Sequence, residues 1–433
     1  MPFETGAGAP RNIAVIGAGI SGMGAAHMLA DGNRVTLFES EKRLGGHART
    51  IMAGKRGDQP VDTGFIVFNY ANYPHLARLF AELDVPVTKS NMSFAASIRG
   101  GALEYGLHSV DSLFAQRSNL LRPGFLRMVR DILRFNARAL ATSRANPDMT
   151  IGAFLDLMGM GRWFRAYYLA PFSGAIWSTP TEKIMDFPAY AMMQFFENHA
   201  LLSHKGQHQW YTVQGGSWEY VRRIETSMRA KGVDLRLGSP VEAVRRTVTG
   251  VEIRAWGGEW EAFDDVVFAT HSDDSLRLLA DATPREAQAL GAIAYQPNDI
   301  ILHRDESLMP KRRKVWASWN YTEETGPRSD RIDLTYWMNS LQPIPQDDPH
   351  FVTLNTRRSI REDLIYDQVT LRHPVYDLGA LAAQDEVRRF NGTSRTWFCG
   401  AWMRNGFHED GLASAVDVVE AIRRSAILQA AAA

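Results

Sequence analysis

The sequence has one cysteine in 433 residues, which excludes an internal disulfide framework and fits a reducing compartment. It has no excess of either charge. Lys+Arg and Asp+Glu both number 48, so the molecule offers no global field to nucleic acid. No apolar run reaches the roughly 18 residues needed to span a bilayer. The opening MPFETGAGAPRN lacks a basic start before an apolar stretch, so no signal peptide is expected. Internal repeats and low-complexity linkers are also missing. What remains is a cytoplasmic globular protein, with peripheral attachment to the inner membrane face left open because that needs no spanning segment. At 45% hydrophobic and 22% charged, the chain can build two or three domains around large cores.

What is there begins with NIAVIGAGISGMGAAHMLADGNRVTLFES, residues 12–40. A short apolar strand runs directly into Gly17, Gly19 and Gly22, and a helix opening at Ile20 and Ser21 follows. A second strand then ends at Glu39 and Ser40. Gly17 permits the tight turn, Gly19 lets backbone approach a pyrophosphate, and Gly22 lets helix and strand pack closely. The helix N-terminus offers free N–H groups and partial positive charge to phosphates. Glu39 suits a ribose hydroxyl and would repel a 2′-phosphate, which disfavours NADP. This unit alone does not separate NAD from FAD. Immediately after it, ESEKRLGGHART places Arg43 and the pair Gly45-Gly46 where a second glycine turn could reach the same pyrophosphate, with His47 beside them. VDTGFIVFN (61–69) then carries Thr63 and Gly64 on a strand suited to close passage beside a flat ring.

The ribose acid, the arginine and the double glycine stand in the order found in the flavin-containing amine oxidase and phytoene desaturase superfamily, which this arrangement resembles. The resemblance implies FAD and an α/β fold in which a Rossmann-like FAD-binding domain is interleaved with an α+β substrate domain. Strand-like and helical stretches alternate accordingly, giving an FAD-binding domain at 1–95, 206–288 and 380–433 and a substrate domain at 96–205 and 289–379. It also implies a backbone contact from Val241 to the adenine. The phrases LGGHA, GFIVFN, GAIWS, WYTVQGGS, LHRDESLMP, TYWMN and FCGAW…GFHEDGL resemble a narrower branch. That branch includes the flavin domain fused to plant cyclopropane fatty acid synthases and bacterial flavoproteins associated with fatty-acyl methyltransferases. It implies a desaturase of furan fatty acid biosynthesis, turning a methylated monoene acyl chain into a methylated conjugated diene.

An acyl chain needs an apolar tunnel, and Phe172, Trp177, Met185, Phe187, Tyr190, Met192, Met193, Phe195 and Phe196 supply material for one, although most such residues serve as helix core. Access to a lipid is expected through GFLRMVRDILRFNARALA (124–141). There Phe125, Met128, Val129, Ile132 and Phe135 share one helical face, and Arg127, Arg130, Arg134 and Arg138 share another. The alternative is a substrate-domain helix with a solvated basic face. KRRK (311–314) forms a second basic patch, expected as a solvated turn.

FCGAWMRNGFHEDG (398–411) gathers Cys, His, Glu and Asp, yet adjacent ligands cannot converge on one ion, and no metal site is expected. The superfamily resemblance implies instead that Gly400 lets the last strand pass under the flavin. It also implies a final helix, starting at Gly411, Leu412 and Ala413 with Asp410 as cap, that points its N-terminus at the ring. His408 and Glu409 are candidates for proton handling, against the alternative of structural hydrogen bonds in a turn, and His271 is expected near the cofactor. Three functions compete. They are the acyl desaturase, an amine or amino-acid oxidase of the same superfamily, and a non-catalytic flavoprotein presenting lipid to a fatty-acyl methyltransferase.

Overall fold

The computed structural model describes residues 10–178, 181–202, 207–326 and 331–432. Residues 1–9, which hold most of the opening segment read for a signal, lie outside the described residues. Ile13, Ala14 and Val15 are fully buried, as a strand covered on both faces must be. Their strand, Asn12–Ile16, is the centre of a five-stranded sheet in which every neighbour is parallel. The order is Asp234–Arg236, Arg34–Phe38, Asn12–Ile16, Asp265–Phe268, Thr396–Phe398. Parallel pairing requires crossovers. The first is the helix Ile20–Leu29, and the others carry the chain away for long excursions before it returns.

Those excursions build a seven-stranded sheet. Its order is Ile365–Val375, Ala294–His303, Phe351–Leu354, Leu334–Trp337, Trp319–Thr322, Phe94–Ile98, Leu103–Gly106. All pairs are antiparallel except Trp319–Thr322 with Phe94–Ile98. Val241–Arg246, Val251–Ala255 and Trp260–Phe263 form a small antiparallel sheet beside the first. The two largest buried apolar clusters cover the two faces of the parallel sheet, and one of them extends between the larger sheet and the helices of 123–198.

Two expectations change here. Residues 96–106, expected in a mainly helical stretch, form a strand hairpin, because Arg99, Gly100 and Gly101 all adopt positive φ and turn the chain back. The helix Pro123–Arg144 does not offer its aromatic face to lipid. Phe125, Met128 and Phe135 are fully buried in the larger core, where Phe135 meets Phe154 and Phe164. An amphipathic period shows only that a face is covered, and here protein covers it.

Candidate functional site

The strand Asn12–Ile16 ends in a turn that glycine alone permits. Gly17 has φ +96°, and its N–H donates to the Phe38 carbonyl at 2.8 Å. A Cβ on Gly22 would lie 1.7 Å from the Gly17 carbonyl oxygen, so the third glycine sets the helix against the strand. A Cβ on Gly19 would meet nothing within 4 Å. Gly19 is also the N-cap of the helix Ile20–Leu29 and lends it no side-chain cap, so the first N–H groups face open space at a positive helix end.

The second glycine turn docks on the first. The Gly45 N–H donates to the Ala18 carbonyl at 2.9 Å, and a Cβ on Gly46 would touch Gly19 Cα at 3.0 Å. These paired backbone surfaces fit the pyrophosphate of a dinucleotide. Gly17, Gly19, Ile20, Ser21, Glu39, Ser40, Gly45, Gly46, His47, Thr63, Gly64 and Val241 all line one cavity of about 1090 Å³. Arg43 does not reach into it. Its guanidinium donates to the carbonyls of Leu44, Gly46 and Ala48 and pairs with Glu41, so it stiffens the second turn rather than meeting phosphate directly. Glu39 accepts the Ala18 N–H at 2.6 Å and the Glu41 N–H at 2.9 Å, which fixes its carboxylate at the cavity edge.

The C-terminal segment departs most from expectation. The final helix begins at His408, one turn before Gly411, and Asp410 sits in its first turn, accepting the Phe407 N–H at 2.9 Å. Asp410 therefore reaches back from inside the helix instead of standing before it, and burial pushes its carboxyl up to about 7. Gly411, Leu412 and Ala413 lie outside the cavity wall. A Cβ on Gly411 would crowd Ser21 Oγ at 2.8 Å, and one on Gly24 would strike Leu412 Cδ1 at 2.4 Å, so these residues pack the last helix against the first. Gly400 does line the cavity, but its missing Cβ makes room for the Trp402 indole, which a Cβ would meet at 2.4 Å. Cys399 is buried and unpaired, with its thiol pushed up to about 12 by burial.

Glu409 turns away from the cavity. The N–H groups of His75 and Leu76 each donate to its carboxylate at 2.9 Å, so it caps the helix Pro74–Glu82 from a distance. That is a correction to its expected part in proton handling. His408 does line the cavity. Its ring stacks on Phe65 at 4.0 Å between centroids, and its Nε2 pairs with the Tyr220 hydroxyl at 2.6 Å. Burial, with His47 nearby, holds it down to about 3, so it is neutral at pH 7.

Further histidines complete the site. His271, expected near the cofactor, and His373, which no motif disclosed, join His47 in a cluster, with ring separations of 5.9 and 5.4 Å from His47. Burial lowers all three, His271 and His373 to about 3. Arg372 bridges Asp273 and Asp274 beside them.

Further along, the helix leading to Trp177 contains a π turn over Arg165–Leu169. Pro171 lacks the N–H that would bond the Tyr167 carbonyl, and the buried Tyr105 hydroxyl donates to that carbonyl instead. Tyr168, Phe172 and Ile176 from this segment line the far arm of the cavity with Ile132 and Trp319. His199 also lines the arm. Its Nδ1 donates to the Phe195 carbonyl at 3.0 Å, which leaves the lone pair on Nε2, and burial holds the ring down to about 4. No local motif marks His199, because what makes it notable is a distant set of aromatic neighbours.

With the geometry in place, comparison with known proteins identifies the fold. The chain matches the flavin containing amine oxidoreductase family over residues 20–354. Cyclohexylamine oxidase from Brevibacterium oxydans IH-35A superposes with TM-score 0.69 at 16% identity, over 96% of this chain and 99% of that one. A CLA-producing fatty acid isomerase from P. acnes superposes with TM-score 0.65 at 14% identity, over 95% and 98% of the two chains. At such identities the likeness is one of fold. The L-amino-acid oxidase of Bothrops pauloensis is 45% identical over 49 residues, 11% of this chain and 10% of that protein. The matched segment is thus about a tenth of that relative. The glycine cradle and these comparisons agree, and the chain is a flavin-dependent oxidoreductase with FAD as its cofactor, belonging to the flavin containing amine oxidoreductase family.

Proposed function

We propose that this protein is an FAD-dependent desaturase that removes two hydrogens from a methylated unsaturated fatty acyl chain and leaves a conjugated methyl diene. The observation that carries this reading is the distribution of charge around the cavity. Glu39, Asp274, Arg277 and Arg372 line its nucleotide end. The rest of the described lining is aromatic, aliphatic or neutral polar, without carboxylate, lysine or arginine. Such an arm accepts a long uncharged chain and lacks a carboxylate counter-ion for an ammonium substrate. The branch phrases of the sequence point the same way, and a fatty acid isomerase among the proteins of this fold is in keeping with it.

When bound, FAD supplies a two-electron acceptor that dioxygen regenerates. The chain's residues do the rest. Tyr168, Phe172 and Trp319 exclude water and align the allylic carbon. His199 holds an available lone pair at Nε2 for the proton that leaves beside the departing hydride. Phe407 adjoins both His199, whose ring is 6.0 Å away, and His408, its neighbour in sequence. His408 contributes as a neutral hydrogen-bonding group oriented by Tyr220. The substrate gains one double bond, and its two hydrogens end on dioxygen as hydrogen peroxide.

Anaerobic mixing of the holoprotein with methylated monoenoic acyl lipid tests this, with flavin absorbance followed and the acyl chains then analysed. Bleaching with a conjugated diene product is expected. Neither bleaching nor diene sinks the reading, and bleaching by small amines places the protein among the amine oxidases. His199→Ala should slow bleaching by about 10²–10⁴-fold at unchanged flavin content.

A further inference from the structure

Cavity-lining residues reach the surface at the helix Pro123–Arg144, where Ile132 and Asn136 are partly exposed, and at His108, which is exposed. The Oδ1 of Asn136 is buried with no hydrogen-bond partner among the described residues. The segments that carry and flank these residues expose apolar groups to solvent. Val110 is 75% exposed, Leu121 86% and Leu133 57%, with Leu120 and Leu126 also open to solvent. On the long helix, Ile132 and Asn136 face the cavity, Leu126 and Leu133 lie on the adjoining strip, and Arg130 lies beyond them. Apolar groups therefore border the opening and cations border the apolar groups.

The cations come from two stretches that are far apart in sequence. Arg127 and Arg130 are 63% and 68% exposed, and with Arg134 they share one acid, the buried Asp131, at 3.6–4.0 Å. Lys314, from the KRRK turn, pairs with Asp111 at 3.1 Å, and Arg117 pairs with the same carboxylate at 2.8 Å. That turn is therefore not merely solvated. Arg312 pairs with the fully buried Glu104, and Lys314 is drawn to the segment that bears Val110 and the leucines. In both clusters cations outnumber acids.

We infer that this collar docks the protein on a bilayer rich in anionic lipid, so that an acyl chain passes from the membrane into the arm without crossing water. Leu120, Leu121, Leu126 and Leu133 enter the acyl boundary and the arginines meet headgroup phosphates, while the Asn136 Nδ2–H group can donate to the ester carbonyl of the chain. Its purpose rests on the acyl-chain reading, but its test does not.

Resting holoprotein is sedimented, without turnover, with vesicles of phosphatidylglycerol and phosphatidylethanolamine or of phosphatidylcholine alone. Binding to the anionic vesicles is expected, weakened by salt. It should fall at least about tenfold in Leu121→Glu/Leu126→Glu and in Arg127→Glu/Arg130→Glu. Retained flavin absorbance and melting temperature certify that both variants are folded. Equal binding by the variants, or no binding to either vesicle, overturns the inference. So does concentration-dependent self-association that the leucine variant abolishes, since a second copy would then cover the collar. If vesicles bind but no acyl lipid bleaches the flavin, the docking surface stands and the desaturase reading falls.

Discussion

At the scale of single residues, Glu409 and His408 show how neighbours in sequence acquire unrelated tasks. Glu409 holds two N–H groups of the helix Pro74–Glu82, whereas His408 faces the cavity. Replacing Glu409 by Gln leaves one acceptor oxygen and removes a charge from a helix N-terminus. The expected cost is about 1 kcal/mol in thermal unfolding, with the rate of flavin reduction unchanged. A collapse in rate would return Glu409 to proton handling. Tyr220→Phe should act on His408 instead, by freeing the ring from its hydroxyl partner and changing the pH dependence of reduction while leaving flavin content intact.

The glycines of the first turn were legible in the sequence because each answers a constraint within a few residues of itself. The roles of Glu409 and Gly411 were not legible, because each is set by a partner distant in the chain.

At the scale of elements, the same limit appears in the helix Pro123–Arg144. Its period discloses a covered face but not what covers it, and the leucines that matter at the surface lie off that face. The π turn before Pro171 is a second element the pattern conceals, since proline alone predicts only a break or a kink. Here the helix continues because Tyr105 satisfies the carbonyl that Pro171 abandons. Tyr105→Phe leaves that carbonyl buried and unpaired, which should cost about 1–3 kcal/mol. It should also alter substrate affinity, because Tyr168 and Phe172 follow the turn into the arm. A variant as stable as the parent would show that the carbonyl finds another donor.

At the scale of the molecule, buried titrating groups set the response to acid. His199, His271, His303, His373 and His408 are held by burial at about 4, 3, 4, 3 and 3, below the ordinary 6.5. The unfolded chain takes up protons on these rings below pH 6.5 and the folded chain does not. Their contribution is complete above pH 6.5 and is lost as the pH falls. Asp62 and Asp410, pushed up by burial to about 6 and 7, act in the opposite sense and favour the fold at low pH. The histidines outnumber them in the window between pH 4 and 6.5. Stability should therefore drop by an amount on the order of 5 kcal/mol from pH 7 to pH 5, read as a fall in melting temperature. A melting temperature that is flat or rises in acid would contradict this.

The parallel sheet has a consequence for how the protein comes into being. Its central strand, Asn12–Ile16, lies near the start of the chain, and the outer strand Thr396–Phe398 and the helix that locks onto Gly24 come nearly 400 residues later. During synthesis the glycine cradle must wait, half assembled, while the whole substrate layer is made and folded. Pairings this distant close slowly. Flavin capture is thus expected to be among the last events of folding. A fragment ending before residue 396 would carry every glycine of the cradle and still have no finished surface on which to hold the cofactor.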